Sequence, residues 1–191
     1  ASTKKYPDVA LLAPKIYQNN GLLLSRGGRY FGCIAQPILT GLGKKDSVPP
    51  GGEMKFIDFA TGAIGLIKSA AAVEVGLFDT QFDPYGFEDI DWSLRIRKAG
   101  FKIAINEKVA ITHLSDYSFH LENPARLYEI TRKRVLLARK HLSLSSYYLA
   151  FLPYFFLRRC LLVILKLVLQ RRWGLIPMVM RVGREALFKD N

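Results

Sequence analysis

The chain has few of the residues that mark a disulfide-stabilised or zinc-binding protein. Its 191 residues include two cysteines, Cys33 and Cys160, which form no Cys-x-x-Cys pair. We therefore expect ordinary thiols in a reducing compartment. A phosphate loop is also absent, because residues 41–47 contain two glycines before a lysine but the required first glycine would fall at Ile38.

Acidic residues are scarce in the last third of the chain. Residues 126–191 hold 14 Lys and Arg against 3 Asp and Glu, whereas residues 1–125 hold 14 against 13. The net charge of +12 is thus almost entirely C-terminal. A basic segment can indicate a nucleic acid partner, but here the cations lie between aliphatic and aromatic runs. That pattern favours an anionic membrane surface and predicts no nucleic acid binding.

No uninterrupted apolar run reaches the about 20 residues that a membrane-spanning helix needs. Residues 142–157 are uncharged, but Pro153 interrupts them and Arg158 follows. Residues 160–169 are aliphatic except for Cys160 and Lys166, and Lys166 makes this segment amphipathic. We predict helices that lie peripherally on the cytoplasmic face of a membrane. A re-entrant or spanning pair, and a buried helix of a soluble domain, are the alternatives.

Length and composition predict one domain with a core and an appendage. The chain is 50% apolar, which is enough for a core of ordinary size. The change in charge divides it into residues 1–125 and a basic, amphipathic, membrane-associated region of residues 126–191. The second region opens with a predicted basic helix over residues 126–141. Prolines and glycines at residues 49–52 predict a loop within the first region.

What the chain does have is a cluster of acids, since five of its sixteen acidic residues lie between Asp79 and Asp91. Clustered carboxylates shift one another's pKa, a cost that a metal, a cationic partner or base chemistry usually offsets. Residues 90–99 predict a short helix that begins beside Glu88, Asp89 and Asp91 and ends at Gly100. The alternative is that Asp89 or Asp91 merely caps this helix.

Strands and one further helix surround the acidic cluster in the predicted order. Residues 9–13 predict a strand closed by Pro14, and residues 56–60 predict another. Residues 70–75 predict a helix ended by Gly76. Alternation over residues 101–105 and 109–113 predicts two short strands, and the second places His113 at its end. A lone histidine in this position is usually a core residue, and a metal ligand is the alternative.

Four segments in fixed order carry a resemblance to a known family. They are residues 59–68, which contain Thr61-Gly62-Ala63, residues 75–79, residues 87–101 and His113. Over roughly residues 8 to 140 they resemble the second half of the catalytic domain of family 2 glycosyltransferases, in the rhamnosyltransferase-like group. The resemblance implies an α/β class and a partial GT-A fold with a mixed sheet, followed by C-terminal amphipathic helices.

The same resemblance implies that part of the family's domain does not occur in this sequence. Family members carry an N-terminal nucleotide-binding half and a separate Asp-x-Asp motif that binds metal and pyrophosphate. The only Asp-x-Asp here is Asp89-Ile90-Asp91, which belongs to the later helix. We therefore interpret the chain as the acceptor-side half, a fragment that we expect to be inactive without the nucleotide-binding half.

The resemblance also implies roles for individual residues. Asp89 would be the catalytic base of an inverting transfer, with Glu88 orienting it or binding acceptor hydroxyls. His113 would help to hold a divalent metal, Mg²⁺ or Mn²⁺, whose other ligands come from the absent motif. The donor would be a nucleotide sugar and the acceptor a glycan or lipid-linked glycan of cell-surface polysaccharide or glycolipid synthesis. The predicted substrate-binding residues are Thr61, Gly62, Ala63, Asp91, Trp92 and Arg95.

Two other functions are alternatives to a glycosyltransferase. A glycoside hydrolase also uses paired carboxylates, but the adjacent Glu88 and Asp89 cannot easily flank one bond at separations of about 5 to 9.5 Å. A non-catalytic membrane-binding or scaffolding module is the more serious alternative, because such a module needs no donor site. Binding of nucleotide diphosphates distinguishes a module from a transferase.

Overall fold

The computed structural model describes residues 6–47, 54–83, 86–114 and 124–188. The loop predicted at residues 49–52 lies outside these ranges. The chain forms two compact units. The first comprises residues 1–30, 37–83 and 88–118, and the second comprises residues 31–36, 84–87 and 119–191.

A mixed sheet forms the centre of the first unit. The strands of the chain are β1 (Val9–Gln18), β2 (Leu23–Ser25), β3 (Gly28–Phe31), β4 (Gln36–Leu39), β5 (Lys55–Ile57), β6 (Leu66–Ile67) and β7 (Lys102–His113). The main sheet has the order β2-β1-β7-β5, and β6 also pairs with β1. Only β1 and β7 are parallel, and β2, β5 and β6 pair antiparallel. The predicted α/β class with a mixed sheet is thus confirmed, while β3 and β4 form a separate ribbon.

The central strand β1 continues through a proline, so the prediction that Pro14 ends it is wrong. The register with β7 shifts between Pro14, which lies opposite Asn106, and Lys15, which lies opposite Ala110. A bulge of this kind suits proline, which has no N–H for the ladder. The predicted gap between two strands over residues 101–113 coincides with this register shift, and β7 continues through it as one strand.

Two helices cover one face of the sheet. They are α1 (Ser69–Val75) and α2 (Glu88–Lys98). Trp92 and Ile96 of α2 pack with Leu11 of β1 and Ile103 of β7 in a buried apolar cluster. Both helices end where the sequence predicts, because Gly76 and Gly100 adopt φ of +74° and +89°, which residues with a Cβ rarely adopt.

The second unit is helical. It contains α3 (Pro124–His141), a π-interrupted helix over residues 144–169 and α4 (Ile176–Phe188). The bounds of α3 confirm the basic helix predicted at residues 126–141. Within the π-interrupted helix, α-helical turns alternate with π-helical stretches at Tyr147–Phe151 and Phe156–Leu161. Pro153 lies two residues beyond the first of these, a position where the wider turn relieves the clash that proline causes in a regular helix.

The helices of the second unit enclose their own core. Phe151 and Phe155 are fully buried and stack with ring centroids 5.5 Å apart. Leu137 of α3, Leu167 and Val182 of α4 are buried as well. Among the residues described, no regular helix is long and apolar enough to cross a membrane.

Candidate active site

The acidic pair begins helix α2 directly after a strained backbone turn. Gly86 has φ of +96°, and Phe87 has φ of +84° although it carries a bulky side chain. A residue held in such a conformation raises the free energy of the fold by about 1–3 kcal/mol and is commonest at functional sites.

Asp89 is tied to the loop that carries the Thr61-Gly62-Ala63 motif. The backbone N–H of Gly62 donates to Oδ2 of Asp89 at 2.8 Å, and the N–H of Ile90 donates to Oδ1 at 2.7 Å. One helical turn later, Oγ of the buried Ser93 accepts from the N–H of Ala60 at 3.4 Å. Residues 89 and 93 share one face of α2 and together hold this loop against the helix.

Gly62 approaches both carboxylates closely. A Cβ added at this position would lie 3.3 Å from Cβ of Asp89 and 3.6 Å from Oε1 of Glu88. The 3.3 Å contact is tighter than most Cβ contacts, so the Asp89 side chain would have to shift by a few tenths of an ångström, whereas the 3.6 Å contact is ordinary. The motif therefore packs closely against Asp89 at this position, and no positive φ is involved.

Burial raises the pKa of the half-buried Asp89 from 3.8 to about 6. The N–H bond from Gly62 opposes this shift because it stabilises the anion, while the negative charge of Glu88 adds to it. Oε2 of Glu88 is buried and has no hydrogen-bond partner among the described residues. A carboxylate with a pKa near neutrality is suited to accept a proton in a reaction.

Asp89 lines a small cleft of about 50 Å³. Its other lining residues are Leu11, Ala60, Thr61, Gly62, Ile64, Gly65, Ile67, Phe78 and Trp92. Thr61 and Gly62 thus share a surface with Asp89, whereas Ala63 is exposed beside it, and the predicted contact of all three with substrate stays a prediction. The cleft combines one carboxylate with mostly apolar walls, and at about 50 Å³ it is smaller than the roughly 300–1,000 Å³ of a typical ligand pocket.

The two aromatic residues of the cleft differ in accessibility. Trp92, predicted to bind substrate, is only 5% exposed and donates from Nε1 to the carbonyl oxygen of Gly76 at 2.8 Å. The ring of Phe78 lies 5.1 Å from it and is 51% exposed. Phe78 therefore presents the open aromatic face, and Trp92 forms the wall behind it.

Asp91 and Arg95 are engaged in holding α2 in place. Asp91 is fully buried, and its Oδ2 accepts from Nε of Arg95 at 2.9 Å. The same guanidinium donates to the carbonyl oxygens of Val75 and Leu77, just before and after the end of α1. These contacts fix α2 to α1 and give both residues a structural role, while their predicted contact with substrate stays a prediction.

His113 lies away from the cleft that contains Asp89. It ends β7 opposite Gln18 of β1, whereas the cleft is lined by Leu11, seven residues earlier in β1. Seven residues of a strand span about 20 Å. Among the described residues, no group of three or more His, Cys, Asp or Glu side chains is arranged to hold a metal ion.

Ser93 and Phe78 were not predicted as site residues, although both shape the site. Ser93 could have been found from its spacing, because it follows Asp89 by four residues and so lies on the same helical face. Phe78 follows α1 in a segment without periodicity. Its position depends on packing against Trp92, which local sequence does not report.

Comparison with known proteins adds no assignment. No protein-family model matches the chain, and no curated protein is significantly similar to it.

Proposed function

We propose that the first unit is the acceptor-side half of an inverting, GT-A type glycosyltransferase in which Asp89 is the catalytic base. The observation that carries this proposal is the enclosed Asp89 carboxylate, whose pKa is raised to about 6 and which the N–H of Gly62 holds in the cleft. A base poised near the working pH contributes roughly 10²- to 10⁴-fold to a rate.

In the proposed reaction, Asp89 takes the proton of an acceptor hydroxyl. The hydroxyl oxygen forms a bond to the anomeric carbon of the donor sugar, and the bond from that carbon to the phosphate oxygen breaks. The nucleoside diphosphate leaves with the electron pair of that bond. Each oxygen of Asp89 already accepts one backbone N–H, but a carboxylate has about four acceptor sites, so capacity for the acceptor hydroxyl remains.

Neighbouring residues would bind and orient the acceptor. Glu88 would orient Asp89 instead of contacting the acceptor, because its Oε2 is buried and Glu88 does not line the cleft. The exposed ring of Phe78 would contact the apolar face of a sugar. Thr61 lies in the same lining and supplies a hydroxyl that both donates and accepts.

The described residues do not by themselves fit the divalent metal that the family resemblance implies. His113 is remote from the cleft, and no cluster of three candidate ligands occurs in the described ranges. Mg²⁺ or Mn²⁺ binding therefore stays a prediction whose ligands would come from the separate acidic motif. The proposed role of Asp89 as a base does not depend on a bound metal.

Release of nucleoside diphosphate tests the proposal. The longest natural form of the protein would be incubated with a panel of nucleotide sugars and with glycan and lipid-linked acceptors, with and without Mn²⁺. We expect Asp89→Asn to lower turnover by roughly 100-fold or more while donor affinity changes little. Asp83→Asn is the matched control, because Asp83 is an exposed aspartate in the segment before the helix.

Two results would contradict the proposal. If Asp89→Asn keeps more than about a tenth of the wild-type turnover, Asp89 is not the base. If no form of the protein binds a nucleotide diphosphate in calorimetry, the non-catalytic module becomes the better interpretation.

A further inference from the structure

The π-interrupted helix of the second unit presents a row of leucines to solvent. Leu157, Leu161, Leu165 and Leu169 are 61%, 56%, 51% and 75% exposed, although a leucine of a soluble protein is usually buried. They recur every four residues and so lie along one face of the helix. We call these four residues the leucine row.

Exposure of the leucine row is not a result of poor packing elsewhere in the unit. The opposite face of the same helix supplies Phe151, Phe155 and Leu167 to the core, and each is at most 1% exposed. The helix is thus apolar on two faces, and the described residues of the unit cover only one. Soluble monomers rarely expose contiguous apolar patches of more than a few hundred Å² without a binding role.

Cations border the leucine row without any acid between them. Arg158 and Lys166 are exposed and lie one residue beyond Leu157 and Leu165, in the next row of the helix. Arg171, also exposed, follows the last leucine. The sequence contains no Asp or Glu between Glu129 and Glu185. A partner of this face must therefore be apolar at its centre and negatively charged at its border.

The end of the helix adds an aromatic residue of the interfacial kind. Trp173 is 60% exposed and follows the turn at Arg171, whose φ is +55°. Indole rings favour the level of lipid headgroups, because one edge is apolar and the N–H donates a hydrogen bond. Leucines, bordering cations and a terminal tryptophan together match the composition of helices that lie in the plane of a membrane.

We propose that the leucine row, with Arg158, Lys166 and Trp173, is a docking face for an anionic lipid bilayer. The leucines enter the boundary between headgroups and acyl chains, and the cations contact lipid phosphates. A second copy of the chain explains the apolar row less well, because two such faces would bring their cations together. The proposal is independent of the glycosyltransferase assignment, since it uses only residues of the second unit.

Vesicle flotation of the full chain tests the docking face. The vesicles would contain either phosphatidylcholine alone or phosphatidylcholine with phosphatidylglycerol, at low and at high salt. We expect binding to the anionic vesicles, and we expect Leu161→Glu with Leu165→Glu to weaken it roughly tenfold or more. Val73→Glu is the matched control, because Val73 is an 84% exposed aliphatic residue on helix α1 of the first unit.

Charge variants separate the electrostatic part. Arg158→Glu with Lys166→Glu should weaken binding most at low salt, because salt already screens the attraction in the wild type. Lys98→Glu, an exposed cation on helix α2, should change it little. Circular dichroism and light scattering of every variant would verify the fold and the oligomeric state.

Three results would overturn the proposal. One is equal vesicle binding by the wild type and the leucine variant, both folded. Another is a wild-type dimer that the leucine variant dissociates, without vesicle binding by either form. The third is retention of the wild type on vesicles after carbonate extraction, which would indicate a helix embedded in the bilayer instead of one lying on it.

Discussion

The two units of this chain use their charges in opposite ways. In the first, Glu88 and Asp89 are drawn together and partly enclosed, and burial raises the pKa of Asp89 to about 6. In the second, the cations beside the leucine row are exposed, and the sequence has no Asp or Glu between Glu129 and Glu185. Enclosure changes the proton affinity of a single group, whereas exposure of many like charges attracts an oppositely charged surface. The first arrangement suits chemistry on one bond, and the second suits attachment to a surface.

Removing Arg95 tests the enclosed arrangement most strongly. Its guanidinium pairs with the fully buried Asp91 at 2.9 Å, so Arg95→Ala removes this cation from beside a buried charge. We expect the free energy of unfolding of the first unit to fall by about 3–5 kcal/mol. Urea unfolding would be followed by Trp92 fluorescence in a Trp173→Phe background, which removes the only other tryptophan.

Arg97 on the same helix is the control for this measurement. It pairs with Asp58 at 3.2 Å, but the side chains are 42% and 30% exposed. Arg97→Ala should therefore lower stability by less than about 1 kcal/mol. Equal losses of stability for the two arginine variants would show that burial of the Asp91–Arg95 pair does not increase its contribution to the free energy of unfolding.

In the second unit, two leucines of one helical segment test the difference between a buried and an exposed side chain. Leu167 is 1% exposed, whereas Leu165 is 51% exposed. Leu167→Ala should lower the free energy of unfolding by about 2–5 kcal/mol, and Leu165→Ala should change it by no more than about 0.5 kcal/mol. Thermal unfolding monitored by circular dichroism would measure both. A large loss for Leu165→Ala would place the leucine row in a core and remove the basis of the docking face.

The pH dependence of stability gives the smallest expected effect. Because the folded pKa of Asp89 is raised to about 6, the folded state holds this proton more tightly than the unfolded chain. The contribution of Asp89 to stability is therefore present at low pH and is lost as the pH rises through 6. Relative to Asp89→Asn, the wild type should lose about 2 kcal/mol between pH 4.5 and 7.5. A difference that does not vary with pH would mean that Asp89 has an ordinary pKa.

Local signals in the sequence predicted much of the first unit. Glycines predict the ends of α1 and α2, and the concentration of acids indicates Glu88 and Asp89 as candidate site residues. The distance of His113 from the cleft was not predictable, because it depends on how far β1 and β7 run together. That length follows from a bulge at Pro14, where the local rule for proline predicted an end.

The second unit shows the opposite limitation of sequence reasoning. Its amphipathic character was evident from Lys166 and the neighbouring aliphatic residues, but two apolar faces of one helix look alike in sequence. Only packing distinguishes Leu167, which is buried, from Leu165, which is exposed. The π-helical stretches also lack a sequence signal of their own.

The bulge at Pro14 divides the central strand pair into two ladders with different exchange behaviour. Val9 to Pro14 pairs with Lys102 to Asn106 over the apolar cluster, whereas Lys15 to Gln18 pairs with Ala110 to His113. Because the proline donates no amide hydrogen at the junction, the ladder of residues 15–18 can open without disturbing the ladder of residues 9–14. Amides of residues 103–105 should thus exchange with deuterium only on global unfolding, and those of residues 110–113 should exchange through local opening.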